Sequence, residues 1–410
     1  MSRTDTYVVV GAGQAGGRAA EAIRGAGFSG RLVVVGAERV RPYERPPLSK
    51  QVLTGAAAPD TAFLRAPDYY DEHGIELMLN QRVEAIDRGS ARLTLAGGET
   101  LAYDKLLLAT GSRVRRLALP GSELAGIHYL RDLDDSLTIA KALRAGARVV
   151  IVGGGYIGLE VAAAARKRGC AVTVLEAGDG LMRRQVAEEV GDWYADLHRR
   201  HGVEIVTGAN VEAFEGGSRV QAVRLADGTA YPADLAVVGV GILPNVELAA
   251  DAGLEVDDGI VVDACGRTSD PAIFAAGDVT RHPNPILGRR VRLESWQNAQ
   301  NQAVAAGRTM AGEETPYAQV PWFWSDQYDV NLQMVGLPDR VDRLVRRGDP
   351  EGGAFTLFYL KDGRIVGANA VNSAKDIAPT RKFIETGAKP DPDMLSDPET
   401  SLKKVLKAAG

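Results

Sequence analysis

Gly11-Ala12-Gly13-Gln14-Ala15-Gly16 and Gly153-Gly154-Gly155-Tyr156-Ile157-Gly158 repeat one Gly-x-Gly-x-x-Gly pattern at two places in a chain of 410 residues. Each stretch follows a short apolar run, Tyr7–Val10 or Val149–Val152, and opens an Ala-rich segment. In a strand–turn–helix unit, the first two glycines allow a tight turn and the close approach of a pyrophosphate, and the third lets helix and strand pack closely. One such pattern is weak evidence, but two in this context predict two dinucleotide sites.

An acid at the end of the second strand of each unit is expected to bind the nucleotide ribose. In the second unit, Ala171–Leu175 is the predicted strand and Glu176 follows it directly. A carboxylate here accepts hydrogen bonds from ribose hydroxyls and repels a 2′-phosphate, which favours NAD over NADP. The alternative is a solvated glutamate at a strand end, and the nearby Arg183 and Arg184 could still accept a phosphate.

The first unit carries its acid later. Arg31–Val35 is the predicted second strand, and Glu38 follows only after Gly36 and Ala37. We therefore expect either Glu38 or a neighbouring residue at the ribose, and the sequence leaves that choice open.

Composition excludes several classes of protein. The net charge of −5, with no block of like charges, gives no sign of nucleic-acid binding. Met1–Thr6 contain no apolar run, and no apolar run in the chain reaches the roughly 18 residues of a membrane span. We therefore expect a cytoplasmic protein. Cys170 and Cys265 form no Cys-x-x-Cys pair and the five histidines are scattered, so we expect neither a redox dithiol nor a metal site.

The order of the apolar runs predicts the domain organisation. Asp104–Gly111 resembles a buried strand ending in a turn, after which the chain enters the second nucleotide unit. Ala272–Asp278, an apolar run with a Gly-Asp exit, resembles a strand that returns to the first nucleotide unit. The predicted fold class is therefore α/β, with two Rossmann-like dinucleotide-binding domains and a C-terminal α+β domain. The predicted boundaries are 1–110 with 241–315, 111–240, and 316–410.

Several further blocks occur in a fixed order, and together they identify a family. They are Arg41-Pro42-Tyr43-Glu44-Arg45-Pro46-Pro47-Leu48-Ser49-Lys50, Ala109-Thr110-Gly111, Tyr156-Ile157-Gly158-Leu159-Glu160, Gly241-Ile242-Leu243-Pro244-Asn245, Gly277-Asp278, Glu294-Ser295-Trp296-Gln297-Asn298-Ala299 and Pro321-Trp322-Phe323-Trp324-Ser325-Asp326-Gln327. Over nearly its whole length the chain resembles the FAD- and NADH-dependent ferredoxin reductases of oxygenase systems. The resemblance implies a glutathione-reductase-like architecture.

The resemblance also implies two sets of cofactor-binding residues and no metal ligand. The set implied for FAD comprises Gly11, Gly13, Ala15, Gly16, Glu38, Arg45, Lys50, Val83, Ala109, Thr110, Gly111, Arg131, Asp278 and Trp296. The set implied for NADH comprises Gly153, Gly155, Tyr156, Ile157, Gly158, Glu176, Arg184 and Gly241. Ala177-Gly178-Asp179-Gly180 stands where members of the family often carry an arginine, so Arg183 or Arg184 is expected to replace it.

Three residues are implied to be catalytic. Two prolines stiffen the backbone before Lys50, which by the resemblance lies near flavin N5 and pairs with Glu160. A salt bridge between domains is the alternative for this pair. Glu294 is implied to orient the nicotinamide, and Trp296 to pack beside the flavin. Both could instead be core residues at the start of a helix.

The reaction implied by the family is hydride transfer from NADH to N5 of FAD, followed by two single-electron transfers to a small acidic 2Fe-2S ferredoxin that supplies an oxygenase. The absence of a dithiol agrees with a one-electron acceptor. Three alternatives stay open: a rubredoxin reductase, an NADH oxidase, and an NADH-binding flavoprotein of the apoptosis-inducing-factor type. We expect a monomer or a weak homodimer.

An acidic partner calls for a basic surface on this chain. The candidate arginines are Arg289, Arg290, Arg292, Arg340, Arg343, Arg346 and Arg347. The alternative is that most of them are solvated surface residues without a partner role.

Overall fold

The computed structural model describes residues 5–409. Met1–Thr4 and Gly410 lie outside the described residues. The predicted domains include all five of them, and the prediction of a cytoplasmic location drew on the first four. The chain forms two compact units, each assembled from three separate stretches. Unit one comprises the chain up to Glu44 with Ala62–Arg113 and Leu243–Pro321, and unit two comprises Arg45–Thr61, Val114–Ile242 and the chain from Trp322 onward.

Unit one is built on a parallel sheet of five strands, as expected for a Rossmann-like domain. In spatial order these are Ile273–Ala275, Lys105–Leu108, Thr6–Val10, Arg31–Val35 and Ile75–Met78. Two three-stranded sheets accompany it, formed by Val83–Asp87, Arg92–Leu95 and Thr100–Ala102, and by Ile260–Val261, Thr280–Asn284 and Arg289–Val291. Its helices are Gln14–Gly25, Tyr69–Glu72, Glu247–Asp251 and Trp296–Met310.

After their first residue, the central strands of unit one are continuous apolar runs, because both of their faces are covered. Val8, Val9, Leu106 and Leu107 are all fully buried. Helix Gln14–Gly25 packs its small residues against the sheet and against helix Trp296–Met310. This packing fixes where the first glycine turn leaves the sheet.

Unit two contains a second parallel sheet of five strands. In spatial order these are Val203–Val206, Ala171–Leu175, Arg148–Val152, Leu235–Val238 and Ile127–Tyr129. A three-stranded antiparallel sheet follows, formed by Val211–Gly216, Val220–Leu225 and Ala230–Pro232. The helices of this part are Gln51–Thr54, Leu133–Ala142, Tyr156–Lys167 and Glu188–Arg200, preceded by a 3-10 turn at Pro46–Ser49.

The C-terminal part of unit two is an antiparallel sheet with short helices. Its strands, in spatial order, are Trp322–Gln327, Val330–Gly336, Arg364–Val371, Ala354–Lys361 and Arg343–Asp349. Its helices are Ile377–Thr386, Pro392–Ser396 and Leu402–Ala409, with a 3-10 turn at Ala374–Asp376. Phe355 and Leu357 of this sheet share one core with Leu159 and Val161 of the second nucleotide unit.

The predicted fold class is confirmed: two Rossmann-like parallel sheets and a sheet-rich C-terminal part are present. The predicted strands Arg31–Val35 and Ala171–Leu175 have the bounds that the sequence indicated. The division into three domains stays a prediction. Two short strands, Ser112–Val114 and Ile242–Pro244, lie where the chain passes between units. Within residues 5–409, no helix combines the length and apolarity that crossing a membrane requires.

Two buried histidines predict how stability depends on pH. Burial lowers the pKa of His198 in unit two and of His282 in unit one to about 4, whereas an unfolded histidine titrates near about 6.5. Between these values the unfolded chain binds more protons, so we expect the free energy of unfolding to fall as pH is lowered from about 6.5 to about 4, by roughly 3 kcal/mol per histidine.

Urea unfolding at pH 7.5 and pH 5 measures this dependence. We expect His282→Phe to reduce the difference between the two conditions, whereas His73→Gln, a change at an exposed histidine of the same unit, leaves it unaltered. Equal unfolding free energies at both pH values in the unmodified protein would contradict the prediction.

Candidate functional site

The first glycine turn leaves strand Thr6–Val10 in a conformation that only glycine adopts easily. Gly11 has φ +115°, and a Cβ atom added to it would lie 2.2 Å from the Ala109 carbonyl oxygen. A Cβ added to Gly16 would lie 1.7 Å from the Gly11 carbonyl oxygen. Both positions therefore exclude any side chain, and the first and third glycines have the roles that the motif predicts.

Helix Gln14–Gly25 starts directly from this turn, with Gly13 as its N-cap. In the described part of the chain no side chain caps its first N–H groups, and its first turn contains no acidic residue. Ala15 is buried in that turn. Uncapped N–H groups at the positive end of a helix form a site for a phosphate group. The turn therefore fits the pyrophosphate of a dinucleotide.

Two loops of unit one lie at the carboxyl ends of strands beside this turn. Thr110 and Asn245 exchange hydrogen bonds: the Thr110 hydroxyl donates to the Asn245 carbonyl oxygen and the Asn245 side-chain amide donates to the Thr110 carbonyl oxygen, each at 2.8 Å. In the other loop, Gly277 N–H donates to Gln302 Oε1 at 2.9 Å. This bond fixes the backbone directly before Asp278, whose Oδ2 accepts a long hydrogen bond of 3.4 Å from Ser112.

The remaining predicted residues of unit one have varied surroundings. Glu38 follows the second strand and accepts a hydrogen bond of 2.5 Å from the Tyr43 hydroxyl. Val83 is half-buried at the start of its strand. Glu294 is exposed and ion-paired with Arg292, so it is not a core residue. Trp296 is half-buried and is the first residue of helix Trp296–Met310.

The second glycine turn repeats the first in unit two. Gly153 has φ +108°, and an added Cβ would lie 2.4 Å from the Gly239 carbonyl oxygen. A Cβ on Gly158 would lie 2.2 Å from the Gly153 carbonyl oxygen. Helix Tyr156–Lys167 begins after the N-cap Gly155, again with no side-chain cap among the described residues. This turn therefore fits a second pyrophosphate.

The side chains of Tyr156 and Ile157, at the start of that helix, have different surroundings. The Tyr156 ring lies 4.9 Å from that of Phe323, and its hydroxyl contacts Met334 Sδ at 2.8 Å. Burial raises the pKa of this phenol well above its usual value. Tyr156 therefore packs against the C-terminal sheet, whereas the side chain of Ile157 is exposed. Gly241 has φ +104° and open space around it.

Glu176 lies against the second turn. Its Oε2 accepts from Gly154 N–H at 2.6 Å and its Oε1 accepts from Gly178 N–H at 2.7 Å. Arg183, a candidate for binding a phosphate, is instead bound by three carboxylates, those of Asp179, Glu188 and Asp192. Arg184 is exposed.

Lys50 and Glu160 form a buried ion pair within unit two. Lys50 Nζ lies 2.7 Å from Glu160 Oε2, and the two side chains are 12% and 2% exposed. The same oxygen accepts from the Ser49 hydroxyl at 2.5 Å, and Oε1 accepts from the Ser325 hydroxyl at 2.7 Å. A pair so far from solvent is held in one geometry by hydrogen bonds to the remaining lone pairs.

Arg45 and Arg131 are also brought together in unit two. Arg45 donates to the Arg131 carbonyl oxygen at 2.5 Å. Arg131 N–H in turn donates to Asp135 Oδ2 at 2.9 Å, in the capping box of helix Leu133–Ala142.

The predicted site residues divide between the units. Unit one holds Gly11, Gly13, Ala15, Gly16, Glu38, Val83, Ala109, Thr110, Gly111, Asp278, Glu294 and Trp296, and unit two holds Arg45, Lys50, Arg131, Gly153, Gly155, Tyr156, Ile157, Gly158, Glu160, Glu176, Arg184 and Gly241. Sequence reasoning missed Ser49 and Ser325 as partners of Glu160. Both serines lie in motif blocks, but no spacing rule links them to a glutamate on another element.

One candidate for the basic surface is corrected by the structure. Arg347 is 5% exposed and donates to carbonyl oxygens of Leu395, Asp397, Pro398 and Thr400. It therefore belongs to the core. Cys170 and Cys265 are both buried free thiols, and burial raises the pKa of each.

Two Rossmann-like parallel sheets occur in one chain, each with a glycine turn that opens a helix lacking a side-chain cap among the described residues. They define a protein with two folds of the nucleotide-binding class. Residues 5–303 match the model of the pyridine nucleotide-disulphide oxidoreductases, and residues 322–406 match that of the reductase C-terminal domain. The chain belongs to the pyridine nucleotide-disulphide oxidoreductase family. Membership implies the use of a flavin and of NAD(P)H.

Relatives match the chain from end to end. The ferredoxin–NAD(+) reductase component of the anthranilate 1,2-dioxygenase system of Burkholderia cepacia is 48% identical, over 98% of this chain and 99% of the relative. Putidaredoxin reductase of Pseudomonas putida is 40% identical, over 100% and 98%. The crystal structure of the covalent putidaredoxin reductase–putidaredoxin complex superposes with a TM-score of 0.96 at 40% identity, covering 99% of each chain.

Proposed function

We propose that this chain is a cytoplasmic, FAD-dependent NADH:ferredoxin reductase that supplies electrons to an oxygenase through a 2Fe-2S ferredoxin. The observation that carries the proposal is a pair of glycine turns, each opening a helix without a side-chain cap among the described residues, in a chain whose two cysteines form no Cys-x-x-Cys pair. Such a chain has a donor site and a flavin site but no disulfide to reduce. The end-to-end match to ferredoxin–NAD(+) reductase components supports the same function.

We propose that unit one holds FAD. The turn at Gly11–Gly16 supplies N–H groups to the pyrophosphate, Asp278 accepts from the ribityl chain or binds near the pyrophosphate, and Glu38 binds the ribose. When bound, FAD accepts a hydride from NADH and releases electrons one at a time. The other loops of unit one fix the backbone around that cofactor.

We propose that unit two holds NADH in preference to NADPH. Glu176 is held beside the second turn by two backbone N–H groups, and Arg183 is neutralised by three carboxylates. A 2′-phosphate would therefore meet a negative charge without a free Arg183 to balance it. Since juxtaposed like charges cost several kcal/mol, we expect kcat/KM to be roughly 100-fold or more higher for NADH.

Steady-state kinetics with both nucleotides measures this preference. We expect Glu176→Gln to lower the ratio of kcat/KM for NADH to kcat/KM for NADPH, mainly by raising kcat/KM for NADPH. Glu204→Gln, which removes a charge from an exposed position on the neighbouring strand, serves as the control and leaves the ratio unchanged. A preference for NADPH in the unmodified protein would overturn the assignment of Glu176.

We propose that Lys50 is the catalytic cation. Its ammonium group, fixed by Glu160, supplies positive charge that stabilises negative charge on a reduced flavin. Lys50→Met is therefore expected to slow flavin reduction by NADH roughly 100-fold. Lys141→Met, at an exposed lysine of the same unit, provides the control. Equal rates of flavin bleaching in both variants would remove Lys50 from the mechanism.

Anaerobic stopped-flow spectroscopy tests the function as a whole. The protein is reduced with NADH and then mixed with a 2Fe-2S ferredoxin, a rubredoxin or oxygenated buffer. We expect fast bleaching of the flavin and fast transfer to the ferredoxin. Transfer only to rubredoxin or only to oxygen would replace the proposal with a rubredoxin reductase or an oxidase. Slow bleaching with a persistent long-wavelength band would replace it with an NADH-binding flavoprotein of the apoptosis-inducing-factor type.

A further inference from the structure

The two oxygens of the Glu160 carboxylate have different partners. Oε2 accepts from Lys50 and Ser49, whereas Oε1 accepts from Ser325 at 2.7 Å. Ser325 lies on strand Trp322–Gln327, the first strand of the C-terminal sheet, which packs against helix Tyr156–Lys167 within unit two. The C-terminal sheet therefore supplies one of the groups that hold the carboxylate.

The hydrogen bonds continue beyond Ser325. Gln327, two positions along the strand and on the same face, donates from Nε2 to Ser325 Oγ at 3.1 Å. Gln327 Oε1 lies 2.8 Å from His198 Nε2, on helix Glu188–Arg200. His198 Nδ1 lies 3.1 Å from the Tyr328 hydroxyl. Ser325, Gln327 and His198 are all fully buried.

The number of hydrogens that each group can donate fixes the direction of these hydrogen bonds. Glu160 is the anion of an ion pair and can only accept, so the single hydroxyl hydrogen of Ser325 points to it. The Ser325 oxygen must then accept from the amide nitrogen of Gln327. If that amide were turned by 180°, its oxygen would compete for the same hydroxyl hydrogen, and Glu160 Oε1 would lose its donor.

The same logic extends to His198. Its ring is neutral at pH 7, because burial lowers its pKa to about 4. Since Nε2 faces an amide oxygen, Nε2 carries the hydrogen and Nδ1 accepts from Tyr328. Four successive hydrogen bonds then donate in one direction and end on Glu160. Hydrogen bonds aligned in this way reinforce one another in a dry interior.

We propose that Ser325, Gln327 and His198 are positioning residues that hold the Glu160 carboxylate, and through it the Lys50 ammonium, in one orientation. We call these three residues the Glu160 donor chain. The C-terminal sheet is thereby part of the machinery for flavin reduction. This inference rests on the proposed function, because it assigns the Lys50–Glu160 pair to that reaction.

One experiment needs no variant. Nitrogen-15 NMR of the full chain labelled at histidine reports which ring nitrogen of His198 carries the hydrogen. We expect Nε2–H at pH 7, with the His198 signal identified by its loss in His198→Gln. An Nδ1–H tautomer would reverse the hydrogen bonds of His198 with Gln327 and Tyr328. That result would overturn the chain of donors, whether or not the protein proves to be a reductase.

The second experiment breaks the donor chain at its link to Glu160. Ser325→Ala is expected to slow flavin reduction by NADH roughly 10- to 100-fold, because small misplacements of a reacting group have effects of this size. The dissociation constant for NADH should stay unchanged, since Ser325 lies outside the residues assigned to the nucleotide. Gln327→Met keeps the serine but leaves its hydroxyl undirected, so a smaller effect in the same direction is expected.

Thr380→Val provides the matched control. Thr380 is also fully buried in unit two, and its hydroxyl donates to the Asp376 carbonyl oxygen, apart from the donor chain. We expect Thr380→Val to lower the free energy of unfolding about as much as Ser325→Ala does, without changing the rate of flavin reduction by NADH. If Ser325→Ala and Gln327→Met reduce the flavin no more slowly than Thr380→Val, the positioning role is wrong. Absence of NADH-driven reduction in the unmodified protein would instead refute the proposed function.

Discussion

Gly16→Ala is expected to yield protein without bound flavin. The new Cβ would lie 1.7 Å from the Gly11 carbonyl oxygen, a backbone atom that cannot move without displacing the turn. Overpacking typically costs about 1–3 kcal/mol and occasionally more. Because the turn can relieve this clash only by leaving the geometry that faces the pyrophosphate, we expect a loss of affinity for FAD at the upper end of that range, roughly 100-fold. The flavin absorbance of the purified protein and titration of the apoprotein with FAD measure the effect.

Gly25→Ala is the control for that experiment because it lies in the same helix, Gln14–Gly25. No atom lies within 4 Å of a Cβ at this position, and alanine is favoured over glycine in a helix by up to about 1 kcal/mol. We therefore expect full flavin content and equal or greater stability. Retention of tight FAD binding by Gly16→Ala would show that the first turn does not hold the cofactor.

Arg347→Met is expected to lower the free energy of unfolding by about 3–5 kcal/mol, the range found when one partner of a buried ion pair is removed. The guanidinium lies 3.7 Å from Asp376 and donates to four backbone carbonyl oxygens between Leu395 and Thr400. Methionine fills similar space but removes a buried donor from each of these acceptors. Chemical unfolding, with loss of the helix signal of the C-terminal segment, measures the effect.

The neighbouring Arg346 supplies the comparison. It lies on the same strand but is 55% exposed, and it forms an ion pair with Glu189 at 2.9 Å. Surface pairs contribute about 0–1 kcal/mol, so Arg346→Met should change stability little. Similar losses in the two variants would mean that the interior contacts of Arg347 do not hold the C-terminal segment.

The elements that sequence predicted best are those decided by local pattern. Strands such as Arg31–Val35 are continuous apolar runs bounded by turn residues, and the glycine turns carry their own steric requirement. The Lys50–Glu160 pair was also predicted, although only from the resemblance to a family. In the structure Lys50 Nζ lies 2.7 Å from Glu160 Oε2, while the catalytic role of the pair is a proposal.

Other long-range partners could not be predicted, because no local pattern specifies them. Ser325 meets Glu160 across 165 positions of sequence, and nothing in the strand Trp322–Gln327 distinguishes an inward serine that binds a carboxylate from one that merely packs. Arg347 was placed on the surface because charged residues are rarely buried. Its four carbonyl acceptors arise from a tail that folds back on the strand, which only tertiary structure reveals.

The discontinuous make-up of the two units has a consequence for biosynthesis. The edge strand Ile273–Ala275 pairs with Lys105–Leu108 in unit one, and unit two needs the chain from Trp322 onward. Domains usually fold one after another as a chain is made, beginning at the N-terminus. Here neither unit can be completed on the ribosome until most of the chain has emerged, so the apolar edge of Lys105–Leu108 stays unpaired until Ile273–Ala275 has been made. Truncated products, which lack the pairing strands, would therefore be strongly prone to aggregation.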